Sequence, residues 1–111
     1  MAQPAPSKPI REVPAAGERT VAAAVDLLKA IASVARLTLV LELARGERCV
    51  HELVDATGMT QPLVSQHLRV LRGAGVVSTR RRGREIAYSL IDDHLAHIAA
   101  DAVRHSEETT A

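Results

Sequence analysis

Phenylalanine and tryptophan are missing from this chain, and Tyr88 is its only aromatic side chain. A core without large rings has to be filled by Leu, Val, Ile and Ala. At 111 residues that suits packed helices in one domain and leaves no room for a second. Cysteine is nearly absent too: Cys49 alone excludes a disulfide within the chain and fits a reducing compartment. No apolar run approaches the roughly 20 residues that cross a bilayer, and the opening Met-Ala-Gln-Pro-Ala-Pro lacks the apolar stretch of a secretory signal. The expected location is the cytoplasm, with no membrane partner. Acidic residues are missing from one region in particular. Between Thr60 and Arg84 there is no Asp or Glu, while Arg69, Arg72, Arg80, Arg81, Arg82 and Arg84 are all cationic, although the whole chain carries a formal net charge of only +1. Local basicity of this kind is the footprint of a phosphate-binding surface, and a solvated cationic face is the plainer alternative.

What is present organises into a tail and one domain. Residues 1–16 hold four of the five prolines and show no hydrophobic period, so they read as a flexible N-terminal tail, with the domain at 17–111. From Glu18 the pattern is helical, with Val21, Val25 and Leu28 on one side. A second helix follows in which Leu37, Val40, Leu41 and Ala44 repeat at helical spacing, and Gly46 ends it. A short extended piece at Arg48–Val50 leads into a brief third helix, 51–57, that Gly58 terminates. Thr60 is placed as N-cap of a fourth helix running to about Arg72, with Pro62 in its first turn, where a missing N–H costs little. At about 100° per residue, Gln61, Ser65, Arg69 and Arg72 share one side with Gln66 at its margin, and Leu63, Val64, Val70 and Leu71 lie opposite. Two helices joined at Gly58-Met59-Thr60 form a helix-turn-helix whose second helix would enter a major groove.

Downstream, Val76–Thr79 and Ile86–Leu90 read as paired strands around a basic tip, Arg80–Arg84, the wing of a winged helix. The expected fold is mainly α with a β-hairpin wing, an α+β winged helix-turn-helix. Double-stranded operator DNA is the expected partner and catalysis is not expected. Gln61, Ser65, Gln66 and Arg69 would meet the base edges, Arg81, Arg82 and Arg84 would hold the backbone or minor groove, and the N-cap Thr60 is counted with this DNA-binding set.

The last helix begins near Asp92-Asp93 and is expected to turn Leu95, Ile98, Ala102 and Val103 to the core. His94, Asp101, His105 and Glu108 fall within a narrow arc of its other face, and imidazole nitrogen and carboxylate oxygen suit zinc or a similar divalent metal. His94 and His105 are eleven residues apart, about 16 Å along a helix axis, so one helix cannot bring both to one ion. Two copies packed antiparallel would set Asp92 and His94 of one against His105 and Glu108 of the other, twice over, with small Ala99-Ala100 at the crossing. A homodimer and a metal site then explain each other. Two readings stand beside this one: a local chelate by His97, Asp101 and His105 at i, i+4 and i+8, and polar residues that merely decorate an exposed helix.

Over residues 20–108 the chain resembles the ArsR/SmtB family of metal-responsive repressors. The resemblance is carried by Asp92-x-His94, ten residues, and His105-x-x-Glu108, by Cys49-Val50-His51-Glu52-Leu53, by Val64–Leu71 and by Arg82-Gly83-Arg84. It implies a metal-free dimer that binds an operator and a zinc-bound form with weaker DNA affinity. Some relatives take cysteines from the third helix and the N-terminal tail. Here residues 1–20 hold neither Cys nor His, so Cys49 is expected as a buried apolar residue. His67 is expected as a core histidine bonded to backbone. At Ser33-Val34-Ala35-Arg36 the family's usual proline is missing, which should alter only the turn. A hydrolytic zinc enzyme would need an open coordination position, which four protein ligands close. A winged-helix DNA-binding or interaction module indifferent to metal is the remaining alternative.

Overall fold

The computed structural model describes residues 13–110. Among them five helices and three short strands follow one another: α1 (Glu18–Ile31), α2 (Val34–Ala44), β1 (Arg48–Cys49), α3 (Val50–Thr57), α4 (Gln61–Gly73), β2 (Val77–Arg82), β3 (Glu85–Leu90) and α5 (Asp93–Thr110). The first twelve positions of the expected tail lie outside the described residues, and residues 13–17 form neither helix nor strand.

Ser33 shows how the turn without proline is built. Its hydroxyl accepts a hydrogen bond from the backbone N–H of Arg36 at 3.0 Å, capping α2. The Arg36 side chain in turn donates to the carbonyl of Ala30 at 2.5 Å and ties α2 back to the end of α1. The core forms around α2, with Leu39, Val40, Leu53, Val64, Leu68, Leu71 and Val76 all fully buried. The α2 stripe differs from the one expected: Leu39, Val40 and Leu43 are buried, Leu37 and Leu41 are half-buried, and Ala44 is exposed. A helix packed by α3, α4, α5 and the sheet buries more than one narrow arc, and a periodicity count sees only the strongest arc.

The sheet is antiparallel with order β1-β3-β2. Arg80–Arg82 belong to strand β2, so the wing tip is only Gly83-Arg84 and not the five residues expected. Gly83 at φ +65° before a residue of negative φ is the arrangement of a tight type II′ hairpin turn. On α5 the core side is Leu95, Ala99 and the half-buried Val103, at i, i+4 and i+8. Ile98 is 38% exposed and Ala102 is exposed, which corrects both assignments. Ala99 is buried in the chain's own core, where α5 packs chiefly on α2, and so is not free to meet a second copy. In α1 only Ala30 and Ile31 are buried, while Val21, Val25 and Leu28 face solvent at 52%, 42% and 47%. Among the described residues, this stripe of α1 is left largely uncovered.

Candidate nucleic-acid interface and metal-ligand face

Gly58 closes α3 in the left-handed region at φ +74°, where glycine has no Cβ to clash. Met59 and Thr60 complete the turn into α4, the Met59 N–H donating to the Thr57 hydroxyl at 3.2 Å. Thr60 holds the N-cap position, but its side chain makes no capping hydrogen bond. Val64, Leu68 and Leu71 anchor α4 in the core. Opposite them, at about 100° per residue, the exposed face is centred on Gln66, with Arg69, Val70 and Gly73 around it. Gln61 and Arg72 are exposed on one flank, and Ser65 is half-buried there. Leu63 and Val70, assigned to the packed side by periodicity, are 39% and 42% exposed, and Leu68 takes their place in the core. His67 is half-buried and its Nδ1 has no hydrogen-bond partner, so the expected bond to backbone is not made.

The wing is held by two carboxylates, Glu47 in the loop before β1 and Glu52 on α3. Glu47 takes the Arg80 guanidinium through two hydrogen bonds of 2.6 Å. Glu52 accepts from the backbone N–H of Cys49 at 2.8 Å, as a capping residue does, and from Arg82 at 2.5 Å. The Cys49 N–H first, and Arg82 second, hold the Glu52 carboxyl below the usual carboxylate range, while Glu47 and Glu52 push the Arg80 and Arg82 guanidiniums up. Arg82 is therefore an internally paired side chain, 38% exposed. Arg81 and Arg84 are exposed, and like Arg69 and Arg72 they form no salt bridge among the described residues. Between α3, the start of α4 and β3 lies a cleft of about 420 Å³ lined by Cys49, His51, Asp55, Gln61 and Glu85 among others. His51 Nδ1 stands 3.3 Å from Glu85 Oε1. Cys49 is 1% exposed, as expected of a buried small residue, and burial pushes its thiol up.

On α5 the histidines and acids lie opposite Leu95 and Ala99, so His94, Asp101, His105 and Glu108 are all exposed. Asp92 Oδ1 accepts from the Leu95 N–H at 3.2 Å and starts the helix, while Oδ2 stands 3.6 Å from His94 Nδ1. Asp101 pairs with Arg104 at 3.0 Å. Among the described residues of one chain no three Cys, His, Asp or Glu side chains gather as a metal cage, and that includes His97, Asp101 and His105.

A helix-turn-helix with a hairpin wing, in an acid-free basic segment, is what the comparisons with known proteins match. Residues 33–79 fit the bacterial regulatory protein, arsR family. The HTH-type transcriptional repressor SmtB of Mycobacterium tuberculosis is 53% identical over 104 residues, covering 93% of this chain and 71% of that protein. The chain belongs to the arsR family. HlyU from Vibrio cholerae superposes with a TM-score of 0.73 at 34% identity, over 79% of this chain and 96% of that one. The transcriptional repressor BigR from Xylella fastidiosa gives 0.69 at 38%, over 76% and 86%. This arsR-family chain is a DNA-binding transcriptional repressor and not an enzyme. No helix among the described residues is long and apolar enough to cross a membrane.

Proposed function

We propose that the protein is a zinc-responsive repressor: a homodimer that holds operator DNA when free of metal and releases it when zinc binds between the last helices of its two subunits. The observation that carries this reading is the placement of α5's ligand-type side chains. His94, His105 and Glu108 lie on the helix face turned away from their own core, beside the exposed Ile98, and α1 leaves a second apolar stripe uncovered at Val21, Val25 and Leu28. Apolar surface of that extent is what a subunit interface would bury. Asp92 and His94 of one subunit with His105 and Glu108 of the other supply two nitrogens and two oxygens, a donor set that suits tetrahedral zinc or a related divalent ion. Four protein ligands leave no open position for substrate, which makes the ion a regulator.

In the DNA complex, Thr60, Gln61, Ser65, Gln66 and Arg69 meet the bases. Gln66, at the centre of the exposed face, is suited to adenine. Arg81 and Arg84 hold phosphates, and Arg82, tied to Glu52, keeps the wing beside them. Metal and operator oppose one another by an equal coupling in both directions, typically 5- to 150-fold (about 1–3 kcal/mol).

The test is fluorescence anisotropy at fixed ionic strength on a duplex selected from a random pool by the metal-free protein, first with chelator and then with added zinc. Zinc is expected to release wild type and to leave His105→Ala bound, with both forms dimeric by sedimentation. Equal responses, or none from either, would remove the α5 site and bring forward a repressor that does not answer to metal.

A further inference from the structure

We infer that Leu63 reads a thymine methyl group in the operator, next to the base pair taken by Gln66; this rests on the reading of α4 as the base-contacting helix. Leu63 is the third residue of α4 and is 39% exposed, on a helix whose Val64, Leu68 and Leu71 are fully buried. Its surroundings are unusual for an exposed leucine. The whole of 60–84 lacks acidic residues, and the exposed arginines Arg69, Arg72, Arg81 and Arg84 lie in the same stretch. A surface of this charge is matched to a phosphate-lined groove, and the apolar group that the major groove displays is the C5-methyl of thymine.

The spacing agrees. Leu63 and Gln66 are i, i+3 neighbours whose Cβ atoms lie about 5–6 Å apart, and their offset along the helix is about 4.5 Å. Base steps rise by about 3.4 Å, so the two side chains meet neighbouring steps of the duplex. Recognition helices present their N-terminal residues to the bases, and both residues fall in the first six of α4. Val70, 42% exposed, stands about 10 Å further along the axis, towards the end that leaves the groove. The methyl contact is accordingly Leu63's, and the operator half-site carries a thymine beside the A·T pair read by Gln66.

Replacing single thymines of the selected duplex by uracil removes the methyl and keeps every hydrogen-bonding group. Anisotropy titrations with the full-length, metal-free protein are expected to show about fourfold weaker binding at one thymine per half-site, the worth of one buried methyl group. Leu63→Ala is expected to bind the thymine and uracil duplexes equally, Leu63→Met to keep the preference, and Gln66→Ala to keep it while losing selectivity at the neighbouring pair. A wild type indifferent to uracil at every position overturns the inference, as does Leu63→Ala with the wild-type uracil pattern. Dissociation of the Leu63→Ala dimer in sedimentation would move Leu63 to the subunit interface and overturn it too. A wild type that selects no sequence above random DNA sinks the base-reading assignment itself, a failure distinguishable from the others.

Discussion

Truncating Leu68 and Leu63 separately tests which face of the reader helix the core holds. Leu68 is fully buried between Val64 and Leu71 in the central cluster, and a Leu→Ala change at such a site costs about 2–5 kcal/mol through lost burial and the cavity left behind. Leu63 is already 39% exposed. It forfeits only part of the roughly 1.5–3 kcal/mol that a fully buried leucine contributes, and alanine's better helix propensity offsets some of that loss, leaving about 1 kcal/mol or less. Against a total stability of about 5–15 kcal/mol, Leu68→Ala removes a large fraction and Leu63→Ala a small one. For a domain of this size each kcal/mol moves Tm by about 4–8 °C. Leu68→Ala is therefore expected to melt about 10 °C or more below wild type, and Leu63→Ala within about 8 °C of it. Far-ultraviolet circular dichroism melts make the comparison, at matched protein concentration because subunit association itself raises Tm. If Leu63→Ala proves at least as destabilising as Leu68→Ala, the packed face is turned towards Leu63 and Val70. Gln66 then no longer stands at the centre of the exposed side, and the base contacts proposed here are wrong.

The clamp between Glu52 and Arg82 makes a prediction in pH. A carboxyl held below its usual range by the Cys49 N–H and by Arg82 contributes stability that is present above the ordinary glutamate pKa and is lost as pH falls through its lowered folded value. Glu52→Gln should thus melt below wild type at neutral pH, with the gap closing on acidification below about pH 4; a gap that does not change with pH would count against the ion pair. On the wing, Arg81→Ala and Arg84→Ala are each expected to flatten the slope of log affinity against log salt by about 0.9, one phosphate contact apiece. Arg80→Ala, whose guanidinium is held by Glu47, should leave the slope unchanged. An equal change for all three would mean that Glu47 does not sequester Arg80 from DNA.

Most of the element order could be read from spacing, because helix punctuation is local. Gly58 and Thr60 stand where α3 ends and α4 begins, and each position follows from what one or two turns of backbone require. The wing was legible as alternation between Ile86 and Leu90, but its tip was not. Arg80–Arg82 look like a loop in composition, and they extend as strand only because Ala87, Ile86 and Glu85 sit across from them. Glu47 and Glu52 gave no signal, since their arginines lie about thirty residues away in the chain.

Taken alone, the sequence determined the number and kind of elements, the acid-free basic segment and the row of histidines and acids along α5. All of these are consequences of composition, period and local capping, which act within a few residues of chain. Which side of each helix would be covered was decided only by tertiary structure. Burial is a property of neighbours brought together from distant parts of the chain, so Leu68 went inside while Leu63 stayed out, and Ala99 packed within its own core and left Ile98 to the surface. The same neighbours tied Arg82 to Glu52 and left Arg81 and Arg84 facing solvent.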